Sequence, residues 1–288
     1  MALSFARSTT GRQAPKRFTI SRVLLWLALI VTTIISLFPM YWLFVTAFTP
    51  TQDTIKTPPD LFPQGSVANF ERLFSQAKDY WSWFANSVLI TIGITVFHLI
   101  FDTLAGYAFA KKRFPGRNFL FWIILSTLMI PPQVTLVPLY IVVQNFNLRD
   151  SLWAVILPGW ANVFGIFLMR QYIQTLPTEL EEAGRIDGCS EPGIFWRIIL
   201  PLSKPALASL AIFTFVRFWN DFLWPSMVLI KSPSFTLPVG VASLQTEFST
   251  DYGLIFAGSA IAALPMIIFF LCFQRYFLEG VRAGAIKG

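Results

Sequence analysis

The stretch 176-LPTELEEAGRIDGCSEPGIFWRIILPLSKP-205 places Glu179, Glu181, Glu182, Asp187 and Glu191 in a chain of which only 13% is charged. Its local pattern is helical. Thr178 followed by Glu181 is a capping-box pair, in which a hydroxyl and a carboxylate each take up one orphan amide. Glu179, Glu181 and Glu182 crowd the first turn, where the helix dipole favours negative charge. Glu181 and Arg185 stand in the favourable i, i+4 order. Gly188 is placed to end the helix in a left-handed conformation. These signals predict a helix over 179–187, about 13 Å long. Leu180, Ala183 and Asp187 share one side of it, while Glu182 and Arg185 look another way. A solvated connector or a helix lying on lipid headgroups would be the plainer roles. Three glutamates in one turn oppose an anionic leaflet, and small Ala183 and Gly184 let another surface approach the backbone, so a docking helix is the better reading.

Working outward, the flanks are apolar. The 288-residue chain is 55% hydrophobic with a mean hydropathy of +0.61, higher than a solvated surface normally allows. Runs long enough to cross a bilayer lie at about 23–48, 82–110, 119–143, 152–168, 206–230 and 254–273. Six spans put both termini on one side. Sixteen of the 22 Lys and Arg fall on that side, including Lys111, Lys112, Arg113, Arg117, Arg170 and Arg185; five fall opposite, and Arg217 is inside a span. The positive-inside rule then places both termini and the acidic stretch in the cytoplasm. The basic balance reports orientation, and no nucleic-acid partner is expected. Residues 1–20 read as a disordered cytoplasmic tail and 21–288 as one membrane domain, with 176–205 as its main cytoplasmic loop. The first apolar run is too long for a cleavable signal. Pro131, Pro132 and Pro138 predict a break in the third run, which neighbouring groups or water must then satisfy.

Polar residues inside the spans are costly and must face protein or water. Asp102 and Arg217 are a candidate interhelical pair, with His98 one turn before Asp102. Asn220 and Asp221, within 217-RFWNDFLWP-225, are candidates for a solute path. A single His gives no basis for a metal site. The chain has no phosphate-binding loop, no nucleophile elbow and no zinc-protease motif, so it is not read as an enzyme.

The spacing Glu182-Ala183-Gly184, then Gly188, then Ile198-x-Leu200-Pro201 resembles the cytoplasmic-loop signature of permease subunits in binding-protein-dependent ABC importers. The one departure is Gly184, where the family usually has Ala. Asn86-Ser87, 106-GYAFAKKRFPGR-117, 131-PPQVTLVPLY-140, 219-WNDFLWP-225, 236-TLPVG-240 and 280-GVRAGAIKG-288 are similar to the carbohydrate-uptake subfamily, above all the shorter permease of maltose and glycerol-phosphate systems. The resemblance implies an all-α type I permease of six spans in a bacterial or archaeal inner membrane. It implies a second permease, two ATPase subunits that bind the ATP and magnesium, and an external solute-binding protein facing the 232–253 loop. It also implies that the 179–187 helix inserts into an ATPase cleft, where Glu182 takes a cationic partner and Ala183, Gly184 and Gly188 allow close packing. Glu181, Arg185 and Asp187 belong to the same coupling surface, and Ile198, Leu200 and Pro201 anchor the loop. The 280–288 tail is expected to contact the ATPases, and Trp219, Asn220 and Asp221 to line the path. This chain itself carries no catalysis or cofactor. The rival class is an ion- or proton-driven secondary transporter, which should show inverted repeats and paired discontinuous helices; neither is visible. The solute is not legible.

Overall fold

The computed structural model describes residues 20–285 apart from Ile55, Pro59 and 246–250, and for 275–285 gives the helix alone. Of the tail expected over 1–20, all but Ile20, which begins the first helix, lies outside the described residues, as do part of the 232–253 loop and the last three residues. Among those described the chain is mostly helical, with no strand. In order the helices are α1 (Ile20–Ala47), α2 (Ala68–Gln76), α3 (Tyr80–Lys111), α4 (Arg117–Ser126), α5 (Pro132–Asn145), α6 (Trp153–Gly159), α7 (Val163–Ile173), α8 (Glu179–Ile186), α9 (Glu191–Ile194), α10 (Leu200–Leu202), α11 (Lys204–Trp219), α12 (Leu223–Val228), α13 (Leu237–Ser243) and α14 (Tyr252–Ala285). Among the described residues four stretches are long and apolar enough to span a membrane, or up to six if each of two bent helix pairs counts as one span.

α3 is the axis of the bundle, packed by α7 and α11, with α14 behind α11. Gly106 and Gly165 permit the close approach of α3 and α7: a Cβ on Gly106 would meet Met169 and the Arg170 backbone, and one on Gly165 would meet Asp102. α1 stands apart: the side chains from Arg22 to Tyr41 are all exposed, and it joins the rest through its last turns.

The apolar runs are less continuous than their composition suggests. The third run bends by 100° between Met129 and Pro132, where Pro131 and Pro132 remove two amide donors. The fourth run is also interrupted, at Trp160–Asn162, which the sequence reading did not anticipate. The Gly159 carbonyl beside that gap accepts a hydrogen bond from His98 Nε2 at 2.8 Å; a buried side chain of α3 thus does the work water cannot do in lipid. The run expected over 206–230 is divided too, into α11 and α12, by the non-helical Asn220–Phe222.

The Tyr80 end of the bundle joins two sequence motifs. Asn86 donates to the Pro233 and Phe235 carbonyls at 2.9 Å each, and Ser87 Oγ accepts the Leu237 amide at 2.7 Å. Asn86-Ser87 therefore holds the 232–240 segment in place.

Candidate functional site

α8 lies at the other end, beyond Lys111. It closes as its sequence predicts: Gly188 has φ +78, the Gly188 amide reaches the Arg185 carbonyl, and the Cys189 amide reaches the Gly184 carbonyl at 2.9 Å. This pair of bonds is a Schellman ending.

The start differs from the expectation. Thr178 is helical in backbone and its side chain caps nothing, so the capping box does not form. Both of its members are taken by α3 and its end. The Thr178 hydroxyl accepts from Lys111 Nζ at 3.3 Å. Glu181 turns inward, is 1% exposed, and through Oε2 accepts from Tyr107 Oη at 3.0 Å, Lys112 Nζ at 3.3 Å and Arg185 Nη2 at 3.4 Å. Charge-assisted bonds of this kind outweigh a neutral cap.

Glu191 completes a ring of alternating charge, bonding Lys112 and, at 3.0 Å, Arg185 Nε. Burial pushes the Lys112 pKa down, but its bonds to Glu191 and Tyr107 and the nearby Glu181 charge together raise it. The same two cations hold the Glu191 carboxyl below its ordinary range. Arg185 is held more firmly protonated, first by its Glu191 bond.

Glu181, named as a coupling-surface residue from the sequence, is thus a positioning residue that fastens α8 to α3. Gly184 is also turned inward: a Cβ on it would stand 2.7 Å from Ile198 Cδ1 and 3.3 Å from Ile194 Cγ1. Its small size serves packing within the chain, not the approach of a partner. Ile198 packs there, while the fully buried anchors of the loop are Ile194, Phe195 and Ile199. Leu200 is partly buried and Pro201 exposed. A π turn at Phe195–Ile199 links α9 to α10. The Ser190-Glu191-Pro192 start of α9 was a readable signal that went unused; Ser190 Oγ accepts the Gly193 amide at 3.3 Å.

The outer face of α8 carries Glu179, Glu182, Ala183 and Ile186, with Asp187 beside them. Ala183 and Asp187 are exposed together as the sequence reading had them, but Glu182, expected to look another way, shares their outer face. Ile186 was missed, and at 86% exposure it is the most exposed large apolar residue among those described. Its i, i+3 and i+4 spacing to Glu182 and Ala183 was the available signal.

The path candidates divide, with Trp219 and Asn220 on one cleft and Asp221 on another. Trp219 is buried and pins α11 to α14 by donating to the Ala262 carbonyl at 3.1 Å. Asn220 lines a cleft of about 520 Å³ between α11, α13 and α14. Asp221 lines a different cleft of about 400 Å³, together with Arg217 and residues of α5 and α6. The expected Asp102–Arg217 pair is not formed. Asp102 faces the start of α7, where it meets Asn162 Nδ2 at 3.4 Å, and it lies 3.9 Å from His98 Nδ1 one turn earlier on its own helix. The charges are complementary, but the two side chains leave their helices toward different neighbours.

An all-helical bundle with a short helix braced on its end is the architecture of a transport permease, and comparison with known proteins agrees. Residues 102–282 match the family of binding-protein-dependent transport system inner membrane components, and the chain belongs to that family. Among its relatives is the arabinooligosaccharides transport system permease protein AraQ of Halalkalibacterium halodurans, 41% identical over 93% of this chain and 98% of that one. The sn-glycerol-3-phosphate transport system permease protein UgpE of Yersinia pestis is 34% identical over 88% and 93% respectively. A bacterial ABC transporter structure, involved in the import of the acidic polysaccharide alginate, has a chain that superposes with a TM-score of 0.82 at 24% identity. That superposition covers 93% of this chain and 100% of the other, and at this identity it speaks for the type I permease fold alone.

Proposed function

We propose that this protein is the permease subunit forming half of the translocation path of an ATP-driven importer for a sugar or sugar-like solute. The names of its relatives, the arabinooligosaccharide and glycerol-phosphate permeases, support the solute class. In this reading α4 with α5 forms one span and α11 with α12 another, the count is six, and both termini face the cytoplasm of a bacterial or archaeal cell. A second permease covers part of α1, whose exposed length contributes little to this chain's core. An external solute-binding protein meets the Tyr80 end.

One observation carries the coupling role. α8 is fixed on its inner side by Glu181, Gly184 and the Lys112–Glu191–Arg185 ring, while the side chains of its outer stripe, Glu179, Glu182, Ala183 and Ile186, make no hydrogen bond or ion pair among the described residues. A rigid helix with a free mixed face transmits force to whatever grips it. The partner is an ATPase subunit, which binds the ATP and magnesium, and this chain needs no cofactor. Motion of the ATPase dimer is passed through α8 and its ring to α3. The 280–288 tail is a further contact for the ATPases, and Asp221 with Arg217 faces the path. A secondary transporter has no use for such a face.

The test is solute-stimulated ATP hydrolysis by the assembled complex. Glu182→Lys should abolish stimulation while solute still binds the external protein. Full stimulation in that variant would refute coupling through α8.

A further inference from the structure

The cations around the Lys111 end are not all spent on α8. Lys112 and Arg185 are neutralised by Glu181 and Glu191. Lys111 meets only neutral oxygens, the Leu176 carbonyl and the Thr178 hydroxyl. Arg117 donates to the Lys112 carbonyl at 2.9 Å and to Asn118 Oδ1 at 3.4 Å. Arg113 makes no hydrogen bond or ion pair among the described residues. Nearby, Arg170 lies over the Phe121 ring at 3.9 Å, within electrostatic reach of Arg117, and its buried Nε has no hydrogen-bond partner.

Two adjoining clefts carry these groups. One, of about 390 Å³, is lined by Arg113, Phe114, Gly116, Arg117, Asn118 and Phe119. The other, of about 650 Å³, shares Arg113 and Arg117 and adds Lys111 and Gln174. Its carboxylates are Glu182 and the already paired Glu181. Directly along the chain, α4 presents Phe119, Trp122 and Ile123 outward, all exposed. Surplus positive charge therefore sits at the mouth of an apolar wall, the reverse image of an anionic phospholipid.

We propose that these clefts bind the phosphate of an anionic phospholipid, with Arg113 and Arg117 as headgroup ligands and the outward face of α4 as the wall for an acyl chain. Arginine suits this role because its planar fork meets phosphate oxygens in pairs. Inorganic phosphate offers the same oxygens without the acyl chain. The proposal rests on α3 and α4 lying in a membrane; its headgroup ligands Arg113 and Arg117 lie outside α8, although the larger cleft extends to Glu182.

The experiment titrates the delipidated, assembled complex with phosphatidylglycerol or phosphatidylcholine and counts retained lipid by native mass spectrometry. The same spectra report whether the ATPase subunits stay bound. At roughly 1 kcal/mol per cation near an anionic headgroup, Arg113→Gln should weaken phosphatidylglycerol binding about fivefold, and R113Q/R117Q about twenty-five-fold. R113K/R117K should recover most of the loss, and inorganic phosphate should compete only weakly. Arg113→Gln breaks no intrachain bond, so it remains informative even if Arg117→Gln fails to fold. Equal binding of both lipids, or unchanged binding by Arg113→Gln, would overturn the site. Inorganic phosphate competing as well as the lipid would overturn the lipid assignment. Loss of ATPase subunits with lipid retained would make the cleft a protein interface instead.

Discussion

At the Lys111 end of the bundle, α8 and α9 are tied to α3 by four charged side chains, Lys112, Glu181, Arg185 and Glu191. At the Tyr80 end the isolated ion pairs Arg72–Asp251 and Lys231–Asp150 stand beside a set of neutral ties that run to backbone. Asn69 Nδ2 holds the carbonyls of Ala47 and Thr49 at 3.1 and 2.7 Å, Trp83 donates to the Ser232 carbonyl at 2.7 Å, and Asn86 and Ser87 fix the segment beyond. Neutral bonds of this kind satisfy orphan carbonyls and are indifferent to salt. A ring of partly exposed charges is screened by salt and titrates. The first arrangement suits a fixed platform, and the second suits a joint that can be loaded.

Breaking the neutral end should cost most. Asn69→Ala leaves two carbonyls unpaired in a buried position, so about 3 kcal/mol of stability should be lost. Thermal unfolding of the purified complex should register this equally in low and high salt. At the charged end, Glu181→Ala leaves the Tyr107 hydroxyl and two half-exposed cations without their shared acceptor. Its cost should be about 2 kcal/mol, equivalent to roughly thirtyfold faster alkylation of Cys189 if α8 detaches locally. That rate, measured with Cys272 replaced by Ser, should rise further in high salt, and Asn69→Ala should leave it unchanged.

A smaller contrast lies within α8 itself. Gly184→Val should cost about 1–2 kcal/mol by overpacking against Ile198 and Ile194. Gly184→Ala should be near neutral, because its Cβ meets the movable tip of Ile198 while the helix gains about 0.5–1 kcal/mol of propensity. Cys189 alkylation separates the two variants. The mildest effect is that of pH. Glu191 has its carboxyl pKa lowered by Lys112 and Arg185, so its contribution is complete above the unfolded carboxylate value and disappears as pH falls through the lowered folded one. The reactivity of Cys189, taken at each pH as a ratio to that of the same thiol in the unfolded chain to remove the thiolate dependence, should therefore increase only below about pH 4.

What could be read from sequence follows the range of the forces involved. The helix over 179–187 and its Gly188 ending depend on residues within one or two turns, and the bend at Pro131–Pro132 depends on covalent structure. The capping box failed because its competitors, Tyr107, Lys111 and Lys112, stand about 70 positions away in sequence. The gap at Trp160–Asn162 was hidden for a similar reason, since the donor that makes it tolerable is His98 on another helix. Asp102 and Arg217 were matched by charge, which carries no information about which neighbour each helix face meets. Ile186 was passed over because an isoleucine beside apolar spans reads as core until its exposure is known.

The central claim is that α8 turns one face to its own bundle and keeps the other for an ATPase. Its most direct test is to place Glu182→Lys and Ile186→Asp, singly, in the assembled importer and to measure solute-stimulated ATP hydrolysis with Cys189 alkylation in the same preparation. Both variants should lose stimulation while Cys189 alkylates at the parent rate, showing that the outer face is disabled and the platform intact. Stimulation at the parent level in either variant, with α8 still docked, would contradict the account.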